Sequence, residues 1–209
     1  MELYDCQMAP NPRRARIFIA EKHLDIKTNE ISIIEGENLK EDYLKINPWG
    51  LLPSLVVDEN TVISEVPSIF LYLESMHPEP NLLGNDLLET VNIQSWERFS
   101  EMNGMQAVGE FFRNQAEPLA NRGMPGFSGV AQVPELVGRG KKRAEWYYSQ
   151  LNDRLGKSAY VAGKRYTAAD ITALCVVDFG KAVGLPFEAG CTNISRWYDE
   201  VSKRPSSKM

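Results

Sequence analysis

The sequence has only two histidines and three cysteines among its 209 residues. Two histidines, His23 and His77, are too few for a histidine-rich metal centre, so we expect no metal site. The cysteines Cys6, Cys175 and Cys191 are odd in number and widely spaced. This pattern predicts reduced thiols in a cytoplasmic protein rather than a disulfide framework. No Cys-x-x-Cys pair is present, which argues against a dithiol redox centre.

Excess positive charge and long apolar runs are also missing. The net charge of −5 argues against a nucleic-acid partner, because such proteins carry basic patches. No apolar run reaches about 18 residues, so we expect no transmembrane helix and no membrane partner. Residues 1–6 lack the basic and apolar regions of a signal peptide. With 43% hydrophobic residues, the chain suits one compact unit or two small domains.

The first forty residues predict a strand, a helix and a second strand. The strand covers Glu2–Asp5, the helix runs from Arg13 to about Leu24, and the alternating segment 28–33 is the second strand. A strand–helix–strand unit of this length makes the two strands parallel. A short helix follows at 37–44. Charged residues are expected to mark the solvated faces of the first helix: Arg13, Arg14, Arg16, Glu21 and Lys22.

The segment 47–68 carries the densest set of signals. Pro48 and Gly50 punctuate a loop, 54–57 is a β-branched apolar run, and 61–63 is the return strand of a hairpin. A helix follows over 66–76, with proline tolerated in its first turn. Leu52-Pro53 precedes the third strand, where a cis proline would bring the backbone sharply toward a ligand.

Beyond the proline-rich linker 77–84, the pattern becomes purely helical. A long helix is predicted from Leu87 to about Ala116, bent near Gly104 or Gly109, followed by a loop over 122–134. Further helices are predicted over 135–155, 171–182 and 194–203. Thr167 and Asp170 form a capping box at the start of the second of these, to which we assign a structural role. The change of pattern divides the chain into domains at 1–80 and 86–209.

Around the hairpin, the backbone has the properties of a peptide-binding site. Leu52 offers its N–H and C=O as a strand edge, and the N–H groups of Glu65 and Val66 lie at a helix start that favours a carboxylate. The Glu65 side chain accepts from an ammonium group. These features predict half of a site for a small anionic peptide. The alternative is a hairpin and a capped helix without a ligand.

The motif N-P-x-G-x-x-P, followed by S-E and a helix, resembles the glutathione-binding half of the glutathione S-transferase family. The similarity covers nearly the whole chain. It implies a thioredoxin-like βαβαββα domain followed by an all-α helical bundle. It also implies glutathione as co-substrate with no permanently bound cofactor, a small hydrophobic electrophile as acceptor, and a homodimer paired through the third helix and the long helix.

The group that would activate the thiol departs from the family pattern. Family members place a Tyr, Ser or Cys at or just before the first helix, and here Ala9 occupies the place of the serine. Asn11 is our candidate, because its amide can donate to the sulfur at a helix start that favours an anion. The alternative is that Asn11 only caps the helix. Cys6, at the end of the first strand, is either a thiol-transfer residue or a small core residue.

Two further departures concern the glutathione carboxylates. The serine of the family's Glu/Gln-Ser pair is Val66 here, which leaves only a backbone N–H for the γ-glutamyl carboxylate. Family members often have a basic residue two positions before the proline, and Leu51 occupies that position here. Lys40 is the remaining candidate cation for the glycyl carboxylate, unless it is simply a solvated lysine. The resemblance also places the acceptor pocket between the domains, with candidates Met105, Phe112, Arg113 and Met124, although such a stripe is more often core.

Three functions are therefore compatible with the sequence. The first is conjugation of glutathione to apolar electrophiles. The second is glutathione-dependent reduction of peroxides or disulfides, or ether cleavage. The third is a non-catalytic binding or dimerisation module, which the replacements at Val66 and Leu51 favour.

Overall fold

A four-stranded mixed sheet lies in the first third of the chain. The computed structural model describes all 209 residues. The strands are β1 (Glu2–Asp5), β2 (Lys27–Glu30), β3 (Ser54–Asp58) and β4 (Thr61–Ser64). Their order in the sheet is β2-β1-β3-β4, with β1 and β2 parallel and the other pairs antiparallel. The parallel strand–helix–strand unit and the hairpin predicted from the sequence are both confirmed.

Eight α-helices accompany the sheet, and every element after the linker is helical. None of them is both long and apolar enough to cross a bilayer. Single 3₁₀ turns lie at Glu37–Leu39, Glu117–Leu119 and Pro205–Lys208. The α-helices are α1 (Pro10–Glu21), α2 (Glu41–Leu44), α3 (Val66–Met76), α4 (Leu87–Ser100), α5 (Gln106–Arg113), α6 (Glu135–Leu155), α7 (Ala168–Ala182) and α8 (Thr192–Val201). The thioredoxin-like domain followed by a helical domain is thus confirmed.

Several boundaries differ from the sequence-based prediction. Helix α1 begins at Pro10 instead of Arg13. Proline is tolerated there because an N–H in the first turn of a helix has no helical acceptor, so its absence costs no hydrogen bond. The long helix is interrupted by a π-helical turn at Glu101–Met105 and ends at Arg113. The bend predicted near Gly104 falls in this turn. A Cβ on Gly104 would lie 2.8 Å from a side-chain carbon of Val176, so the turn fits tightly against α7.

One hydrophobic cluster of 35 buried residues runs through both domains. In the N-terminal part, Phe18 of α1 stacks on Phe70 of α3 with ring centroids 4.2 Å apart. In the helical part, Trp197 is fully buried and donates its indole N–H to Asp170, 2.9 Å away. Asp170 also accepts from the Thr167 N–H at 3.0 Å, as the predicted capping box requires. The start of α7 is therefore anchored inside the core.

The prediction that charged residues of α1 face solvent was wrong for three of them. Arg14, Glu21 and Lys22 are 2%, 9% and 4% exposed. Each is ion-paired across an interface: Lys22 with Glu74, Glu21 with Arg204, and Arg14 with Glu101. Because α1 packs against α3, α7 and the C-terminal turn, its polar side chains are enclosed by other elements and find their partners there.

Candidate functional site

The loop before β3 is held by three buried polar side chains. Asn47 donates to the Leu51 C=O at 2.9 Å and to the Ser54 hydroxyl at 3.1 Å. Tyr43 donates to the same carbonyl, and burial raises the pKa of its phenol to about 12. Asn38 donates to the Gly50 C=O at 2.7 Å, at a residue with φ of 62° that favours glycine. These buried side chains therefore stabilise the loop conformation that exposes the backbone of Leu52.

Leu52 has the free backbone groups that the sequence predicts. The Leu52-Pro53 peptide bond is cis. Neither the N–H nor the C=O of Leu52 makes a hydrogen bond within the chain, whereas the Gly50 C=O accepts one and the Leu51 C=O accepts two. A residue whose N–H and C=O are both free can bond to the backbone of a peptide, which then joins the sheet as a further strand.

Glu65 lies beside this loop and has an unusual backbone conformation. Its φ is 67° and its ψ 125°, a region that non-glycine residues rarely adopt and that is enriched at functional sites. Its side chain is exposed and its N–H makes no hydrogen bond within the chain. Val66 is the first residue of α3, so its N–H has no intrahelical acceptor. The Val66 side chain is buried in the core.

Strand pairing brings these segments to one end of the sheet. Ser54 pairs with Ser64 and with Tyr4. Consequently Leu52-Pro53, which precedes Ser54, lies next to Glu65, which follows Ser64. Cys6, two residues beyond Tyr4, reaches the same end. The structure therefore brings together the glutathione-binding candidates on the hairpin and the end of the first strand.

Asn11 does not cap α1. The N-cap residue is Ala9, which has no side chain able to bond, and Asn11 lies inside the first turn. Pro10 and Pro12 have no N–H, so Asn11 supplies the one free backbone donor of this turn, and this N–H makes no hydrogen bond within the chain. Its side-chain Oδ1 accepts from Arg14 at 3.2 Å, which leaves the amide NH₂ free.

A buried charge network behind Asn11 was not predicted. The Arg14 guanidinium lies 2.8 Å from a Glu101 oxygen and 3.5 Å from a Glu97 oxygen, and its Nε donates to Thr172 at 3.1 Å. These partners come from α4, the π turn and α7. Because they are more than 80 residues from Arg14, no local pattern points to them. The nearest signal was the presence of several arginines in the first helix, which does not single out Arg14.

Burial raises the pKa of Glu97 to about 7. Its carboxyl is 4% exposed, and the Glu101 carboxylate nearby disfavours a second negative charge. Arg14 and the Thr172 hydroxyl act in the opposite direction, but burial is the larger effect. The network beneath Asn11 thus contains a carboxyl group that titrates near neutral pH.

The remaining candidates are placed less centrally. Cys6 is buried at 6% exposure and its thiol has no hydrogen-bond partner. Lys40 is exposed and forms no ion pair. Met105 is buried in the shared core. It therefore packs in the interior and does not line an open pocket. Phe112 is half-buried against Phe179, at a centroid distance of 5.8 Å.

Arg113 and Met124 belong to the helical part of the chain. Arg113 ends α5 with a half-buried side chain, and its Nη1 donates to the Arg122 C=O at 2.9 Å. Met124 lies 49% exposed on the segment 117–134 that follows. Of the four acceptor candidates, three are thus at least partly accessible.

The chain matches family models over most of its length. Residues 3–81 match the glutathione S-transferase N-terminal domain, and residues 105–205 match the C-terminal domain of the same family. The chain belongs to the glutathione S-transferase family. Enzymes of this family use glutathione as a co-substrate.

Three relatives illustrate the similarity. Glutathione S-transferase 2 of Saccharomyces cerevisiae is 29% identical over 210 residues, covering 100% of this chain and 88% of the relative. The crystal structure of Gtt2 from the same yeast superposes with a TM-score of 0.92 at 28% identity, covering 100% and 99% of the two chains. A glutathione S-transferase domain-containing protein of Marinobacter aquaeolei gives 0.89 at 29% identity, covering 99% of both.

Proposed function

We propose that this protein conjugates the thiolate of glutathione to small apolar electrophiles. The observation that carries the proposal is the set of unpaired backbone groups at one end of the sheet: the N–H and C=O of Leu52 and the N–H of Glu65. Leu52 would pair with the cysteinyl backbone of glutathione. The N–H groups of Glu65 and Val66 would hold the γ-glutamyl carboxylate, and the Glu65 side chain its ammonium group.

Asn11 would stabilise the thiolate. A free thiol has a pKa of about 8.5, so little thiolate exists at neutral pH without nearby donors. Asn11 provides two donors at the start of α1, its backbone N–H and its side-chain NH₂. The thiol proton passes to solvent, the sulfur forms a bond to the electrophilic carbon, and the leaving group departs with its electron pair.

The burial of Cys6 favours conjugation over the reductive alternative. Disulfide exchange requires an accessible thiolate, and the Cys6 thiol is 6% exposed. A purely binding role is the third alternative, and the acceptor assays below test it. Peroxide reduction by bound glutathione remains an outcome that the assays below distinguish, and ether cleavage needs an aryl ether as a further substrate.

The proposal extends to the partners of the protein. The acceptor would enter between the domains, beside Phe112, Arg113 and Met124. We propose a homodimer, because β4, α3 and α4 expose apolar side chains of the size expected at an interface, Leu71, Leu87 and Leu88 among them. The free thiols of the cysteines favour a cytoplasmic location, and conjugation of apolar electrophiles would suit a role in detoxification.

Glutathione titration calorimetry tests the site, and acceptor assays test the reaction. We expect glutathione to bind and a chloronitrobenzene to be conjugated faster than a hydroperoxide is reduced. Activity with the hydroperoxide alone would favour the reductive function. Binding without either activity would leave only the binding module, and no binding would overturn the proposal.

Asn11→Ala tests the proposed thiol activation. We expect the pKa of bound glutathione thiol to rise by about one unit, because the thiolate loses a donor while the neutral thiol loses little. Turnover at neutral pH should fall about tenfold and recover in part at high pH. Ultraviolet thiolate absorbance against pH measures the shift, with Cys6→Ala as the control that leaves the profile unchanged. An unshifted titration in Asn11→Ala would remove Asn11 from the mechanism.

A further inference from the structure

Arg113 is a half-buried cation without a counter-ion. Its guanidinium makes one hydrogen bond, from Nη1 to the Arg122 C=O, while Nε and Nη2 have no partner in the chain. No carboxylate lies within ion-pair distance. Burial lowers the pKa of Arg113, and the neighbouring Arg122 guanidinium lowers it further, with no acid acting against them. An unpaired charge that is partly withdrawn from water is unfavourable, so such a site favours an anion.

Arg122 provides an internal comparison. Its guanidinium donates to three backbone carbonyls, those of Ile33, Ile34 and Pro118. This is how an arginine with a structural role uses its donors. Arg122 thereby ties the segment 117–134 of the helical domain to the N-terminal domain. Arg113 is left with free donors beside a second positive charge.

The same segment packs against the proposed glutathione site. A Cβ on Gly126 would lie 2.4 Å from the Trp49 C=O and 3.2 Å from a side-chain carbon of Leu51. Leu51 directly precedes Leu52, whose backbone groups are unpaired. Leu51 is apolar and Lys40 is exposed without an ion-pair partner, so neither of the two positions expected to supply a cation holds a fixed one.

We propose that Arg113, with the Arg122 guanidinium beside it, is the cation of a carboxylate-binding site supplied by the helical domain. The proposal rests on the proposed function, since the carboxylate belongs to a molecule bound in that cleft. Two sources have this chemistry: the glycyl carboxylate of glutathione, or an acidic group on the acceptor. A guanidinium binds either one through parallel N–H donors.

The test compares the parent with Arg113→Gln and Arg113→Lys. Arg139→Gln is the matched control, because Arg139 is an exposed arginine that pairs only with Glu110 on the outer surface. Calorimetry measures binding of glutathione, its glycyl ethyl ester and γ-glutamylcysteine. Initial rates with saturating glutathione compare a neutral chlorodinitrobenzene with a chloronitrobenzoate. Thermal melts establish that each variant is folded.

Each source gives its own pattern. If Arg113 holds the glycyl carboxylate, Arg113→Gln should weaken glutathione binding about tenfold or more without affecting the ester or γ-glutamylcysteine. If it holds the acceptor, glutathione binding should stay constant while kcat/KM for the benzoate falls about tenfold and that for the neutral acceptor does not. Arg113→Lys should keep part of the preference for the carboxylate that Arg113→Gln loses. Arg139→Gln should keep the whole preference.

Other outcomes overturn the proposal. The unsubstituted protein has no carboxylate site if it binds glutathione no better than the ester and uses the benzoate no better than the neutral acceptor. This comparison does not depend on any variant being folded. A preference that persists in Arg113→Gln assigns the site to another residue. If the parent does not bind glutathione at all, the proposed function fails together with this site. Normal glutathione binding with unchanged preferences refutes the Arg113 site alone.

Discussion

Glu65, which we propose to bind glutathione, has an unusual backbone conformation. A glutamate at φ of 67° and ψ of 125° is strained, by about 1–3 kcal/mol for residues in such regions. Strand pairing places Glu65 and Val66 at the same end of the sheet as Leu52. Its side chain makes no hydrogen bond or ion pair within the chain that would explain the conformation, and we propose that the conformation serves glutathione binding.

Two substitutions at this residue separate binding from stability. We expect Glu65→Ala to weaken glutathione binding by about 1–3 kcal/mol, through loss of a charge-assisted hydrogen bond. Glu65→Gly should weaken binding similarly but raise the melting temperature, because glycine adopts positive φ without strain. Calorimetry and thermal melts measure the two effects. Glu59→Ala, at an exposed glutamate of the hairpin turn, is the control. Unchanged affinity in both variants would exclude Glu65 from the site.

Glu97 predicts a pH dependence of stability. Its pKa in the folded protein is about 7, above the 4.5 of an exposed glutamate. The folded state therefore binds its proton more tightly, so this contribution to stability is complete below about pH 4.5 and is lost as the pH rises through about 7. We expect Glu97→Gln to match the parent near pH 5 and to exceed it by up to about 3 kcal/mol at pH 8. Denaturant unfolding at both pH values measures the difference, and a constant difference would contradict the raised pKa.

At the scale of elements, the sequence predicted those helix limits that are set by residues close to them in the chain. The limits of α3 and α6 were predicted to the residue, because prolines and changes of periodicity lie at their ends. The start of α1 was missed because Asn11 was weighed as a cap and the prolines were assigned to a loop. The π turn at Glu101–Met105 was anticipated only as a bend, since its geometry depends on packing against α7.

The candidate site divides in the same way. The backbone groups of Leu52 and Glu65 follow from a local turn and helix start, so the motif in the sequence was enough to indicate them. The Arg14 network and the contacts of Arg122 with Ile33 and Ile34 join residues more than 80 positions apart. A charged residue in a helix is usually solvated, and only the folded chain shows which ones are enclosed.

The start of α7 gives a prediction for an element. Asp170 accepts from the N–H groups of Thr167 and Val161 and from the Trp197 indole, and all of these are buried. We expect Asp170→Ala to lower the free energy of unfolding by about 2–4 kcal/mol, because buried donors lose their acceptor. Thr167→Ala should cost about 1 kcal/mol, as for an ordinary cap. Denaturant unfolding compares them, and equal losses would mean that Asp170 acts only as a cap partner.

At the scale of the whole molecule, ion pairs join the two domains that we propose at 1–80 and 86–209. Arg13 meets Asp178 at 2.7 Å, and Glu21 meets Arg204 at 2.7 Å. Both pairs flank α1, whose first turn carries Asn11. The position of the proposed thiol-activating residue therefore depends on how the helical domain docks, even though Asn11 belongs to the thioredoxin-like domain.

The last prediction concerns assembly. Leu71 and Met76 of α3 and Leu87 and Leu88 of α4 are 58–81% exposed, and a groove of about 550 Å³ lies farther along α4, between Val91 and Asn103. Exposed apolar side chains on consecutive elements are typical of an interface. We expect light scattering at micromolar concentration to give a dimer.

Leu88→Glu should weaken this dimer. In a two-fold interface each substitution acts twice, and burial of one leucine contributes about 1.5–3 kcal/mol, so the dissociation constant should rise at least about a hundredfold. Val133→Glu places the same charge at an exposed apolar residue on the segment 117–134 and should leave the dimer intact. Sedimentation of both variants measures the constants. A monomeric parent, or equal weakening by the two substitutions, would show that these side chains of α3 and α4 do not form the interface.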